Sequence, residues 1–306
     1  MLASKHIKNA AYRAGFDLCG IARSRHFSDN EAVFRQWLAD GRSGGLAYLE
    51  RNIDKRFDPA RLVEGAKSVI VCAVSYKNET SDGYDAGCNT KIASYACAAD
   101  YHTTIKGMLR TLFDELKKMC PDIAGRAFTD SAPLVEKQLA VDAGLGWIGR
   151  QSLLVTPQFG SFILLGELVI TEEADVYDSP LSDGCGECRR CVEACPANAL
   201  LATRSVDASK CISCATVEAR ALKSDTASAA QNLHGWIFGC DECQSCCPYN
   251  RHTPYHSNPA FDIVFNPLDI PAGKWLTMSD NEFSEKFAKT PLSRCGLESI
   301  KGNIRE

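Results

Sequence analysis

The sequence contains no apolar run that could cross a bilayer. Its longest, SFILLGELVI at 161–170, falls well short of the roughly 20 residues a spanning helix needs and is rich in the branched residues of a buried strand. Charge of one sign is missing too. Thirty-four Lys and Arg stand against 38 Asp and Glu, a formal net charge of -4, so any RNA contact must use a local patch. The opening stretch MLASKHIKNAAYRAG reads as a polar amphipathic helix without the apolar core of an export signal. A cytoplasmic protein with reduced thiols is therefore expected. Low-complexity tracts and heptads are absent, and the only repetition is a pair of cysteine clusters.

Cysteine is what the chain has in excess, with 16. The run CGECRRCVEACP (185–196) places Cys185, Cys188, Cys191 and Cys195-Pro196 at the spacing of a bacterial ferredoxin. There, three thiolates hold one four-iron cluster and the fourth, before proline, ligates a second. A second run, CDECQSCCP (240–248), supplies the partner. By analogy with Cys195-Pro196, Cys247 before Pro248 crosses over to complete the first cluster. Cys195, Cys240 and Cys243 are left for the second, and Cys246, Cys211 and Cys214 compete for its fourth place. A cysteine of KCISC (210–214) is preferred, with Cys211 taken, because Cys246 beside Cys247 points its side chain elsewhere. Paired structural zinc sites are the competing account; successive two-residue gaps closing on Cys-Pro favour iron and sulfide. Cys19, Cys72, Cys88, Cys120 and Cys295 stand alone as small hydrophobes.

The rest of the chain alternates helix and strand. Helices are expected over 5–15, over 102–119, and after the capping-box pattern SDNE (28–31). Strands are expected over 68–76, at GRAFTD (125–130) and over 160–170, and a helix at PLVEKQLAVDAG with Pro133 in its first turn. EEADVYDSPLSDG (172–184) reads as a boundary. The expected fold is α+β: an α/β sheet domain over 1–174, a ferredoxin-like two-cluster module over 175–260, and a C-terminal tail over 261–306 packing back on the first domain.

KIASYACAADYH (91–102), FTDSAPLVEKQLAVDAGLGWIGRQSLLVTPQFGSFILLGELV (128–169) and the two-cluster module together resemble the epoxyqueuosine reductases, cobalamin and iron-sulfur enzymes of tRNA modification related to the corrinoid reductive dehalogenases. The resemblance covers most of the chain. It implies a cobalamin in the first domain, two [4Fe-4S] clusters feeding it electrons, and reduction of the epoxide of epoxyqueuosine at the tRNA wobble position. The implied partners are that tRNA and a flavodoxin- or ferredoxin-type donor, with the chain a monomer off the membrane.

Asp130, in TDSAP, matches the family's proton donor, a role that suits a carboxyl whose pKa is raised by burial; capping of the following helix by Asp130 or Ser131 is the structural alternative. Arg56 in NIDKRFDP is a candidate contact to corrin amides. Cys97 departs from the small or aliphatic residue usual there and is a candidate soft ligand near cobalt. His102 lies in an Asp-x-His pattern whose glycine position holds Ile105, so it is expected to line the pocket and hydrogen-bond rather than ligate cobalt. Thr156 and Gly160 in TPQFGSF would let backbone approach a flat cofactor. Cys214 and Asp241 would face the cofactor beside the clusters. Arg189, Arg190, Arg220, Lys223 and Arg251 are candidate RNA contacts. The chain leaves no room for the helical-repeat extension that many family members carry.

Overall fold

The computed structural model describes residues 1–85, 87–218 and 232–304. Its centre is a four-stranded sheet of β1 (Leu18–Arg23), β2 (Ser68–Ser75), β4 (Gly125–Phe128) and β7 (Ile163–Ile170), numbered along the chain. The order is β1-β2-β7-β4 and every pairing is antiparallel. SVIVCAVS of β2 is buried along its whole length, because both faces of the sheet are covered and a two-sided strand has no polar face to keep.

On one face lie α1 (Ser4–Arg13) and α4 (Tyr101–Met119), where Ile7, Ile105, Leu109 and Leu112 pack against Ile70, Cys72 and Leu168. Gly166 permits that approach, since a Cβ there would stand 2.5 Å from Cγ2 of Ile105. The other face carries α2 (Ser28–Ala39), α3 (Ile53–Arg56) and α5 (Glu136–Asp142), with Phe27, Leu139 and Ala140 against Val69, Val71 and Val169. Two expectations shift. α2 begins on Ser28 itself, after Phe27 and without a side-chain cap. α5 begins only at Glu136, so Pro133 belongs to the loop before it and neither Asp130 nor Ser131 caps the helix.

A small parallel pair, β3 (Lys91–Ile92) with β8 (Trp236–Phe238), joins the sheet domain to the cysteine-rich module. A short hairpin, β5 (Trp147–Ile148) with β6 (Leu154–Val155), lies beside it. The module is built of α6 (Arg190–Ala194), α7 (Ile212–Val217), α8 (Glu242–Ser245) and α9 (Pro248–Arg251). Buried polar contacts seal the seam: Ser161 N–H donates to Asn250 Oδ1 at 2.7 Å and Lys77 Nζ donates to the Asn250 and Thr253 carbonyls at 2.8 Å.

The C-terminal helices α10 (Ala272–Thr277), α11 (Asp280–Phe287) and α12 (Leu297–Asn303) bring Trp275, Phe287 and Ile300 onto a core shared by Ile92 of the sheet domain and Ile237 and Phe238 of the module. The tail therefore bridges both. Among the described residues no helix is long and apolar enough to cross a membrane.

Candidate active site

The chain leaves β4 at Phe128, is pinned by the Thr129 hydroxyl donating to the Leu165 carbonyl at 2.8 Å, and turns at Asp130 with φ +53°. That left-handed conformation is uncommon for a residue with a side chain. It lifts the Asp130 carboxylate off the sheet and toward the start of α4, leaving it 55% exposed in an open cleft. The Tyr101 hydroxyl donates to its Oδ2 at 2.6 Å, and His102 Nε2 lies 3.2 Å from the same oxygen. Asp100, the N-cap of α4, accepts from the His102 backbone N–H at 3.0 Å and sits 2.7 Å from His102 Nδ1.

A carboxylate only accepts, so Nδ1 carries a proton. Nε2 then has two neighbours of opposite kind, Asp130 and, at 2.9 Å, the Arg294 guanidinium. Unprotonated, it accepts from Arg294; protonated, it donates to Asp130. The hydrogen bond from His102 holds the Asp130 carboxyl below the usual carboxylate range, against an upward push from burial and with help from Tyr101. This reverses the expectation that burial raises it: donors converging on one oxygen favour the ionised form over the acid.

Beside the Asp130 turn opens a cleft of about 400 Å³, walled by Phe34, Trp37, Phe57, Arg56, Glu136 and Ser152. Arg56 stands over the Phe34 ring at 5.4 Å, and its buried Nε has no hydrogen-bond partner among the described residues. Burial weakens its hold on the proton. An orphaned donor against aromatic walls fits a large group fringed with amide or phosphate acceptors. The Tyr48 hydroxyl, held up to about 12 by burial and then by Glu218, also senses Cys214, Asp130 and Arg56. Cys214 on α7 therefore lies near Tyr48.

The cluster cysteines fall into two sets. Burial raises the Cys191 and Cys247 thiols, and each is raised further by neighbours that include Cys185, with Cys188 also acting on Cys247. In the second set Cys195, Cys211, Cys240 and Cys243 line one cavity with Ala199 and Ile212. Burial raises Cys211, Cys240 and Cys243, and thiols of the same set add to each rise. Bound iron would supply the positive charge that such crowded thiolates need.

Among the described residues no three Cys, His, Asp or Glu side chains converge as one metal ion requires. The thiols of the second set line a cavity instead, as ligands to separate corner irons do. Trp147 Nε1 donates to Cys185 Sγ and the Ala199 N–H to Cys195 Sγ, each at 3.3 Å. Cys246, pushed up to about 12 by burial and then by Cys191 and Cys247, leans toward the first set.

Comparison with known proteins agrees with this layout. A family model described as "Epoxyqueuosine reductase QueG, DUF1730" matches residues 56–131, and one described as "4Fe-4S double cluster binding domain" matches 184–250. The epoxyqueuosine reductase of Cyclobacterium marinum is 40% identical over 301 residues, 97% of this chain and 94% of that protein. The chain belongs to the epoxyqueuosine reductase family. It is an oxidoreductase whose C-terminal half carries a double [4Fe-4S] domain.

An epoxyqueuosine reductase crystallised with a tRNA-Tyr epoxyqueuosine-modified stem loop is 26% identical, with a TM-score of 0.84 over 98% of this chain and 79% of that one. The epoxyqueuosine reductase of Bacillus subtilis, in a structure with its catalytic aspartate loop swung out of the active site, is 26% identical with a TM-score of 0.80 over the same shares.

Within this epoxyqueuosine reductase fold, four expected cofactor contacts have partners inside the protein. Cys97 is fully buried among Ile92, Phe238 and Leu292, its thiol pushed up to about 12 by burial and 3.9 Å from the Thr80 hydroxyl and the Ala93 carbonyl. It is a core thiol. The Thr156 hydroxyl is used inside its own turn, accepting from the Phe159 N–H at 3.0 Å. Gly160 has φ +62°, and a Cβ there would stand 1.9 Å from Asn250 Oδ1, so its missing side chain makes room for the module. Asp241 is buried and accepts from the Ser94 N–H at 2.7 Å and its hydroxyl at 2.9 Å, which anchors the 94–97 turn. Arg189, Arg190 and Arg251 are exposed; Arg220 and Lys223 lie outside the described residues.

Sequence reading missed Tyr48, Arg294, Glu136 and Glu167. Only Glu167 had a local signal, a lone carboxylate in the middle of an apolar strand.

Proposed function

We propose that this chain reduces the epoxide of epoxyqueuosine at the wobble position of tRNA to queuosine and water, with Asp130 as the acid at the departing oxygen. The observation that carries this reading is Asp130 itself, held on a left-handed turn, tied to His102 and Tyr101, and joined through its N–H to Glu136 in the wall of the Arg56 cleft. The reaction consumes two electrons and two protons: both epoxide C–O bonds break, a carbon–carbon double bond forms, and the oxygen leaves as water. Cobalamin bound in the cleft supplies electron-pair chemistry toward carbon, and two [4Fe-4S] clusters supply electrons singly.

The chain's residues divide the remaining work. Arg56 offers its unpartnered Nε–H to acceptors on the cofactor. Phe34, Trp37 and Phe57 exclude water from the cleft wall. Asp130 takes up a proton and passes it to the substrate oxygen, while His102, fixed by Asp100, holds the next proton one hydrogen bond away. Cys185, Cys188, Cys191 and Cys247 hold the first cluster; Cys195, Cys211, Cys240 and Cys243 hold the second.

The exposure of Cys188 supports electron delivery to the first cluster by a flavodoxin- or ferredoxin-type donor. A monomer is the proposed state, and tRNA as substrate suits the cytoplasm. The relative bound to a modified tRNA stem loop supports the substrate, and the swung-out aspartate loop of the Bacillus subtilis protein supports a mobile acid loop.

Anaerobic reconstitution with iron, sulfide and cobalamin, followed by turnover on tRNA bearing epoxyqueuosine, tests the reading. Queuosine formed in proportion to bound corrinoid is expected. A cluster-loaded chain that binds no corrinoid, or one that leaves the epoxide intact, overturns it.

A further inference from the structure

Beneath the Asp130 turn lies a second pair of carboxyls that the proposed chemistry does not use. Glu167 sits in the middle of β7, paired with Val71 on one side and Phe128 on the other, and is fully buried. Neither of its carboxyl oxygens has a donor among the described residues. Its neighbour is the carboxyl of Glu136 in the first turn of α5, and two carboxyls can hydrogen-bond only when one of them carries a proton. Glu136 in turn uses Oε1 to accept the backbone N–H of Asp130, the residue held at positive φ.

We propose that Glu136 is the positioning residue of the Asp130 loop, and that Glu136 and Glu167 share one buried proton whose presence sets how firmly the loop is held. A carboxyl–carboxylate pair under a sheet costs desolvation and offers no packing advantage over an apolar pair. What it does here is present a charged acceptor to a strained turn. With one proton on Glu167, ionised Glu136 accepts both from that O–H and from the Asp130 N–H, a charge-assisted bond stronger than a neutral one. With both carboxyls protonated, the bond to Asp130 is an ordinary one.

The groups around the pair are consistent with this order of ionisation. Burial and then the Asp130 charge push Glu136 up to about 7, opposed by its bond to the Asp130 N–H and by Lys137. Burial and then Glu136 push Glu167 well above the usual carboxylate range, so Glu167 keeps its proton longer. Facing the pair are Asp130 from the loop, Lys137 from α5, Arg56 from α3 and Cys72 from β2. The loop is thus held more tightly as pH rises through the Glu136 ionisation.

The consequence for turnover rests on the acid role of Asp130, but the latch has its own readout. Amide hydrogen exchange, corrected for intrinsic rates, is measured on the cluster-loaded protein for the segment 126–135 from about pH 5.5 to about pH 8.5. In the unsubstituted protein, protection of this segment rises across about pH 7, while β2 stays protected throughout. Glu136→Gln abolishes the step and exchanges roughly 10- to 100-fold faster on the alkaline side.

Glu167→Gln offers Glu136 a permanent amide donor in place of a second acid, so the step moves to lower pH and protection persists across the range. An unsubstituted protein with no step, or a Glu136→Gln protein with an unchanged one, overturns the latch. If the step is present while Asp130→Asn turns over normally, the acid role fails and the latch stands; the reverse result sinks the latch alone.

Discussion

His102 Nε2 lies 3.2 Å from Asp130 Oδ2 and joins two segments, the start of α4 and the turn after β4, that meet only in the folded chain. This contact makes Asp130 a stronger acid than its partly sheltered position alone would allow. A hydrogen bond to the ionised form stabilises that form and lowers the pKa.

Removing that donor should move the pH profile. The form of Asp130 that gives a proton is the acid, so turnover falls as pH rises through its pKa. His102→Ala raises that pKa by deleting the largest downward influence. The alkaline limb of single-turnover rate against pH should shift upward, with a smaller upward shift for Tyr101→Phe. An unmoved limb would mean that another group supplies the proton.

Asp130→Asn should cost about 10²- to 10⁴-fold in the rate of epoxide reduction, the range typical of losing a general acid. Iron content should be unchanged, because the side chain contacts Tyr101 and His102 and not the cysteine sets. Parallel iron, corrinoid and single-turnover assays separate loss of chemistry from loss of cofactor.

The cysteine sets make a selective prediction. Cys195→Ala or Cys211→Ala removes a thiol lining the second cavity and should cut iron and sulfide by about half, leaving one cluster. Cys246→Ala should keep both clusters. Iron and sulfide analysis with electron paramagnetic resonance of the reduced protein reads the difference.

Gly160→Ala places a methyl group 1.9 Å from Asn250 Oδ1 at a residue with φ +62°. Relieving that overlap displaces Asn250, whose Oδ1 accepts the Ser161 N–H and whose side-chain amide donates to the Ser161 hydroxyl at 3.0 Å. A loss on the order of 2–4 kcal/mol is expected, measured by denaturant unfolding of the cluster-loaded protein.

Stability should also carry the signature of Glu167. Its pKa is raised in the folded state, so the native protein keeps a proton that the unfolded chain releases above about pH 4.3. The stability associated with that proton is complete below the unfolded value and is lost as pH rises toward the folded one. Glu167→Gln should therefore unfold at higher denaturant than the unsubstituted chain at alkaline pH, by about 1–3 kcal/mol. The two should converge near pH 4.

Much of this protein was legible in one dimension. The cluster motifs are local patterns in which a fixed backbone spacing aims several thiols at a common space, so Cys185, Cys188 and Cys191 could be grouped directly. The buried strands announced themselves as apolar runs, and α4 as residues at helical spacing. The start of α5 was misplaced by three residues, because the loop from Asp130 to Val135 is shaped by what it touches: Thr129 on the Leu165 carbonyl and Asp130 on Glu136.

The sequence by itself determined the donor atoms: eight of sixteen thiols in a spacing that wraps two clusters, an acid in TDSAP, and enough apolar residues to build a sheet covered on both faces. Only the tertiary structure decided the state and surroundings of those atoms. It lowered the Asp130 pKa by bringing His102 and Tyr101 onto one oxygen, sealed Cys97 in a core, turned Gly160 toward Asn250, and put Glu136 against Glu167. Each of these outcomes depends on the local field and on the distance between residues remote in sequence. A chain of letters specifies which groups are present; the pKa of a carboxyl belongs to its neighbours.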